Sequence, residues 1–246
     1  MLFFLASIAL AAAPDHVDLG DIDRYDGLSR DFLAGPADCW NVVGAVEWHA
    51  DLGRFGDNRG SGQFIGRIMD GEWLGYRLLS LFEGVPREGS PAWRQIPGSD
   101  VHFTPLVGHH RHLSDGDQDP LGVLKVIFDE LGSAVDTAYL EWSDRYGAVV
   151  LRRNVGLGKG RGAPEAEVIT IFPGGGNRAS SLDVFFPAKF HTGMLRWKIS
   201  DAHIRIDGER DRPLPASEWL SAEVGVLGMG FSISQHIRYN DVSPCQ

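Results

Sequence analysis

Apolar residues recur at every second position along most of this chain, the period of a strand with one buried face. The first clear case opens at Trp40: Trp40, Val42, Gly44, Val46 and Trp48 alternate with Asn41, Val43, Ala45, Glu47 and His49. Gly62–Met69 and Glu72–Phe82 follow, joined by Asp70-Gly71, a pair that tolerates the positive φ of a tight hairpin. Glu72–Phe82 is apolar on both faces, which predicts a central strand covered on both sides. Further on, the same rhythm predicts strands over Thr137–Ser143, Ala148–Val155, Glu165–Phe172, Ser181–Phe186, Leu195–Ser200, His203–Ile206 and Ala222–Tyr239. In the last of these, Phe231, Ile233, Ile237 and Tyr239 share one face, and Ser232, Ser234, His236, Arg238 and Asn240 the other.

Helical spacing is confined to two places. A short helix is predicted around Arg24–Leu33, stopped by Gly35-Pro36. A second is predicted over Pro120–Leu131, with Asp119 as cap, Pro120 at the first helical position and Gly132 as stop. Its apolar face, Val123, Leu124, Ile127, Phe128 and Leu131, needs a partner, and a sheet is the one available. Between Glu83 and Asp119 lies a long irregular stretch in which Asp100–Leu106 fits a short strand. The fold class is therefore mainly β: an antiparallel curved sheet, half-barrel or barrel of about nine to eleven strands, with one covering helix and a short N-terminal helix.

The first 13 residues change the setting of this domain. Met1–Ala13 has no charged side chain and ends in Ala11-Ala12-Ala13, the make-up of a secretory signal cleaved near Ala11–Ala13. A buried apolar N-terminal strand or helix is the alternative reading. Export implies a periplasmic or secreted protein with a single domain over residues 14–246 and its long loop at 83–119. No later run has the roughly 18 apolar residues of a membrane helix, so no transmembrane segment is expected. In an oxidising compartment Cys39 and Cys245 are expected to pair, placing the start of the first strand beside the end of the last and closing the sheet on itself. A net charge of −10 argues against a nucleic-acid partner.

Little in the sequence points to catalysis. His110, His112, Asp115 and Asp117, in a segment that also holds His109 and Asp119, have the donor chemistry of a divalent-metal site. As a calcium loop the segment departs from the pattern at Pro120, in place of the turn glycine, and at Val126, in place of the bidentate Glu. A solvated loop in which Asp119 merely caps the helix is the plainer reading. Gly156–Gly162 lacks the spacing of a phosphate loop, and no Gly-x-Ser-x-Gly elbow exists. His49, His191, His203 and His236 read as surface or rim residues. The aromatics carry more: Trp40, Trp48, Phe64, Trp73, Trp142, Trp197 and Phe231 all fall on predicted strands. They line either a packed core or an apolar ligand cavity.

The order of elements — leader, short helix, Trp40-Asn41-Val42-Val43-Gly44 opening a strand, hairpins, covering helix, long meander — resembles the periplasmic LolA/LolB-like lipoprotein carriers. The resemblance implies an incomplete β-barrel that holds acyl chains in an apolar cavity covered by helices. It transfers no site residue, and the histidine-bearing loop and the two cysteines depart from the pattern. The leading expectation is a non-catalytic, cofactor-free binder of a hydrophobic or lipid-like molecule. A structural or protein-interaction domain of the cell envelope is the alternative, and a metal-dependent enzyme centred on His109–Asp119 the third.

Overall fold

The computed structural model describes residues 21–51, 57–83, 94–95, 104–110, 137–156, 165–186, 190–192, 197–209, 211–226 and 229–246. After the helix α1 (Ile22–Ala34) come β1 (Trp40–Asp51), β2 (Asp57–Met69), β3 (Glu72–Glu83), β4 (Arg94–Gln95), β5 (His109–His110), β6 (Thr137–Ser143) and β7 (Ala148–Gly156). They are followed by β8 (Glu165–Pro173), β9 (Ser181–Phe185), β10 (Phe190–Thr192), β11 (Trp197–Asp207), β12 (Ser217–Val226) and β13 (Met229–Pro244). All belong to one 13-stranded sheet of order β4-β3-β2-β1-β13-β12-β11-β9-β8-β7-β6, with β5 added beside β3 and β10 beside β11. Apart from the parallel contact of β5 with β3, the pairing is antiparallel. β4, β5 and β10 are only two or three residues long.

The sheet is two meanders joined by one seam. β1 to β3 form the first, β6 to β13 the second, and β1 pairs with β13 from Trp40↔Pro244 to Asp51↔Ser232. Cys39 and Cys245 are bonded at the end of that seam, where the Cys245 N–H also donates to the Cys39 carbonyl at 2.9 Å. The expected neighbour relation of first and last strands therefore holds, but the closure inferred from it does not. Among the described residues, β1 and β13 meet in the middle of the sheet, whose edges are β6 at one end and the β3–β4 side at the other. The terminal strands of a chain close a barrel only when they are also the edge strands, and here they are not.

Four further corrections concern strands. Leu195–Ser200 and His203–Ile206 are one strand, β11, with a register shift between Ser200 and His203. Ala222–Tyr239 is not one strand but parts of two, β12 and β13, which pair antiparallel from Ser217↔Arg238 to Val226↔Met229. β3 is not covered on both sides. Its alternation slips at two register shifts, so that Trp73, Tyr76 and Leu78 reach the core while Leu74 and Leu79 are each 49% exposed. Thr104, Pro105 and Leu106 are buried but not in a strand. The helix expected over Pro120–Leu131 lies outside the described residues.

The Asp70-Gly71 turn fixes more than its own hairpin. Both residues have positive φ, 52° and 73°. A Cβ on Gly71 would stand 2.5 Å from the Ala34 carbonyl oxygen, so only glycine lets the helix end come this close. Gly71 N–H donates to Pro36 O (2.8 Å), Gly108 N–H to Leu33 O (3.0 Å) and His109 N–H to Gly71 O (2.7 Å). The end of α1, the hairpin tip and the segment Thr104–Gly108 are thereby tied together over one face of the sheet.

Candidate functional site

That covered face carries the core. Two neighbouring rows of cross-strand partners run from β6 to β2. One is Ala138, Arg153, Val168, Val184, Ile204, Leu220, Gln235, Trp48 and Gly60. The other is Leu140, Leu151, Thr170, Leu182, Ile206, Glu218, Ile237, Val46 and Gly62. Only Arg153, Thr170, Gln235 and Glu218 interrupt these rows with a polar side chain, and each is buried. A buried polar group is costly unless it is bonded. Each of the four is bonded to the cover.

Arg153 and Thr170 hold the helix. The Arg153 guanidinium, fully buried, donates from Nη1 to Asp26 Oδ1 at 3.0 Å and from Nη2 to Ser29 Oγ at 3.3 Å. Ser29 Oγ also lies 2.9 Å from Thr170 Oγ1. Burial lowers the pKa of Arg153, and the Asp26 carboxylate opposes that shift. Tyr25, Ser29 and Leu33, one turn apart, form the buried edge of α1, and Tyr25 Oη donates to the Gly175 carbonyl at 2.9 Å.

Glu218 and Gln235 hold the strap, Thr104–Val107. The Glu218 carboxylate accepts from the Leu106 N–H at 2.6 Å, the Val107 N–H at 2.9 Å and Tyr239 Oη at 2.7 Å. Gln235 takes both backbone groups of Thr104, accepting from its N–H at 3.0 Å and donating to its carbonyl at 2.8 Å. Trp73 Nε1 donates to the Val107 carbonyl at 2.8 Å. Leu106 and Val107, so positioned, pack into the core cluster.

Of the aromatics singled out in the sequence, the structure brings four together. Phe64 and Trp73 are buried in the main cluster, and Trp40 and Trp48 pack against it half-exposed. Trp48 lies flat on Gly60, whose missing side chain makes the room. Tyr239 links the group, 6.2 Å from Phe64 edge-on and 6.4 Å from Trp73 stacked. Trp142 stands apart, against the second cluster of Tyr25, Val149, Leu151, Phe172 and Ala179, with Nε1 donating to Asp144 at 2.9 Å. Trp197 and Phe231 lie on β11 and β13, with side chains outside the described residues. The backbone of His110 forms β5, and His112, Asp115 and Asp117 lie outside the described residues.

The polar anchors had a signal in the sequence. Arg153 follows Val149 and Leu151 at period two, Glu218 precedes Leu220, Ala222 and Val224, and Gln235 stands between Ile233 and Ile237. A polar residue inside an apolar alternation asks for a partner. A cavity of about 260 Å3 lies beside α1, between Leu28, Asp31 and Phe32 on one side and Arg212, Pro213, Leu214 and Pro215 on the other.

The Asp26–Arg153 pair gives an asymmetric prediction. Asp26→Ala strands a buried guanidinium and is expected to lower the unfolding free energy by about 3 kcal/mol or more. Arg153→Met leaves Asp26 beside Arg30, 2.7 Å away, and is expected to lower it by about 1–2 kcal/mol. Urea denaturation of the two variants checks the order, and equal losses contradict it.

No protein-family model matches the chain, and no curated protein sequence matches it significantly. Among solved structures, a LolA superfamily protein from Nitrosomonas europaea is similar at a TM-score of 0.34 and 11% identity, over 94% of this chain and 95% of that one. Lipovitellin, solved to describe its lipid–protein interactions, is similar at 0.32 and 12% identity over 86% of this chain, which spans 26% of lipovitellin.

Proposed function

We propose that this protein is an extracytoplasmic, non-catalytic binder of a hydrophobic or lipid-like molecule, which it holds between the covered face of the sheet and the cover. One observation carries the reading. The cover, α1 and the strap, is fastened to an otherwise apolar face by a few polar groups, Arg153 and Thr170 under the helix and Glu218 and Gln235 under the strap. A cover attached in this way yields first at the apolar stretches between the anchors, where an alkyl chain can replace its contacts while Arg153 and Glu218 keep their partners and the sheet stays intact. The cavity beside α1, at about 260 Å3, is below the roughly 300–1,000 Å3 usual for small-molecule sites. Loading therefore requires the helix or the strap to move.

The test is native mass spectrometry of the chain expressed with its own N-terminus and isolated without detergent. The expected result is a mature chain beginning near Ala12 that carries a lipid adduct, lost on organic extraction and regained on mixing with the extract. A chain that stays ligand-free through that cycle supports instead a structural or interaction domain with a permanently filled core.

A further inference from the structure

We infer that the face of β1–β3 opposite the core, which no described segment covers, is a docking surface for the anionic headgroup layer of a lipid bilayer. On this face Asn41, Arg67 and Gly75 are cross-strand partners in one row, and Val43, Ile65 and Arg77 in the next. Gly75 leaves the space above it open, since a Cβ there would have no heavy atom within 4 Å. The result is a groove of about 470 Å3 whose lining includes Val43, Ile65, Arg67 and Arg77. Apolar side chains continue around it: Val43, Met69, Leu74 and Leu79 are 38%, 40%, 49% and 49% exposed.

Charge decides between a solvated edge and a docking surface. The chain carries −10 overall, and several arginines elsewhere are matched by carboxylates: Arg152 by Glu141 and Glu167, Arg205 by Asp183 and Asp207, Arg238 by Glu47. Arg67 and Arg77 have no carboxylate partner among the described residues, and Arg67 donates only to the side-chain amide oxygen of Asn41, at 3.1 Å. Asp241, opposite Val43, and Glu72, opposite Met69, stand at the margins of the patch. Two unmatched guanidinium groups among exposed aliphatic side chains complement a surface that offers phosphate oxygens above hydrocarbon.

The experiment is co-sedimentation of the full chain with vesicles of phosphatidylcholine alone or mixed with phosphatidylglycerol, at low ionic strength. Binding is expected to the mixed vesicles and to fall with added salt. Arg67→Ser with Arg77→Ser is expected to reduce the partition by about 25-fold, from the roughly fivefold that each surface arginine contributes. Arg145→Ser with Arg178→Ser changes net charge equally at exposed sites away from the patch and should leave binding within about twofold. Thermal melting confirms that both pairs fold. All variants share the same N-terminus, so the differences report the patch alone. Equal binding to both vesicle types, equal loss from both arginine pairs, or self-association through this face without vesicle binding each overturns the proposal.

Discussion

Replacing both cysteines, Cys39→Ser with Cys245→Ser, is expected to lower the unfolding free energy by about 3–5 kcal/mol. The sequence separation is 206 residues, so the bond closes nearly the whole chain in the unfolded state. The chain-entropy model puts the limit for such a loop at about 5 kcal/mol. The position of the bond matters as much as the loop. It clamps the end of the β1–β13 seam, the strand pairing that joins the two meanders into one sheet. Without it the seam opens from Trp40↔Pro244 inward, and the hairpins β1–β2 and β12–β13 can separate before either unfolds. Urea titrations of the oxidised chain and the serine variant should differ in midpoint, with the variant showing earlier hydrogen exchange at Val42 and Val242. A loss under about 1 kcal/mol would show that the register pairs alone hold the seam.

How much of this was legible in the sequence follows from what each signal is made of. Period-two alternation is local, and β1, β6, β7, β8 and β9 fall where it places them. So does α1, because Gly35 at φ 80° followed by Pro36 stops a helix through backbone sterics alone. The alternation misled where an extra residue slips the phase. At Leu74 and Leu79 a bulged strand looked like a doubly buried one, and at Ser200–His203 a bulge looked like a loop. The cysteine pair gave a true contact and a false topology, since adjacency of two strands does not say whether either is an edge. The polar anchors of the cover were present as exceptions to the apolar rows, but their partners are distant in sequence. Glu218 meets Leu106 across 112 residues and Arg153 meets Asp26 across 127. No spacing rule reaches that far.

Glu218→Ala is expected to lower the unfolding free energy by about 3–5 kcal/mol, because this buried side chain on β12 is the acceptor for three donors. The substitution removes the acceptor of two backbone N–H groups, Leu106 and Val107, and of the Tyr239 hydroxyl, all in a dry interior. Each donor left unpaired costs about 1–3 kcal/mol. Glu218→Gln keeps one acceptor oxygen and sets an NH2 group against the remaining donors, so an intermediate loss is expected. Tyr239→Phe removes one donor and leaves the strap bonds in place, at about 1–2 kcal/mol. Alkaline pH should work through the same contact. Burial, and after it the Glu218 charge, raises the Tyr239 pKa well above the ordinary 10.0. The stability this gives is complete below pH 10 and is lost as pH rises through the folded value. Removing Glu218 deletes the second cause and should soften the alkaline loss, whereas Tyr239→Phe deletes the ionisation itself. The readout that separates a strap anchor from a general core residue is amide exchange. In Glu218→Gln the Leu106 and Val107 amides should exchange faster while those of β9 and β11 keep their protection, and uniform acceleration would mean that Glu218 holds the sheet and not the cover.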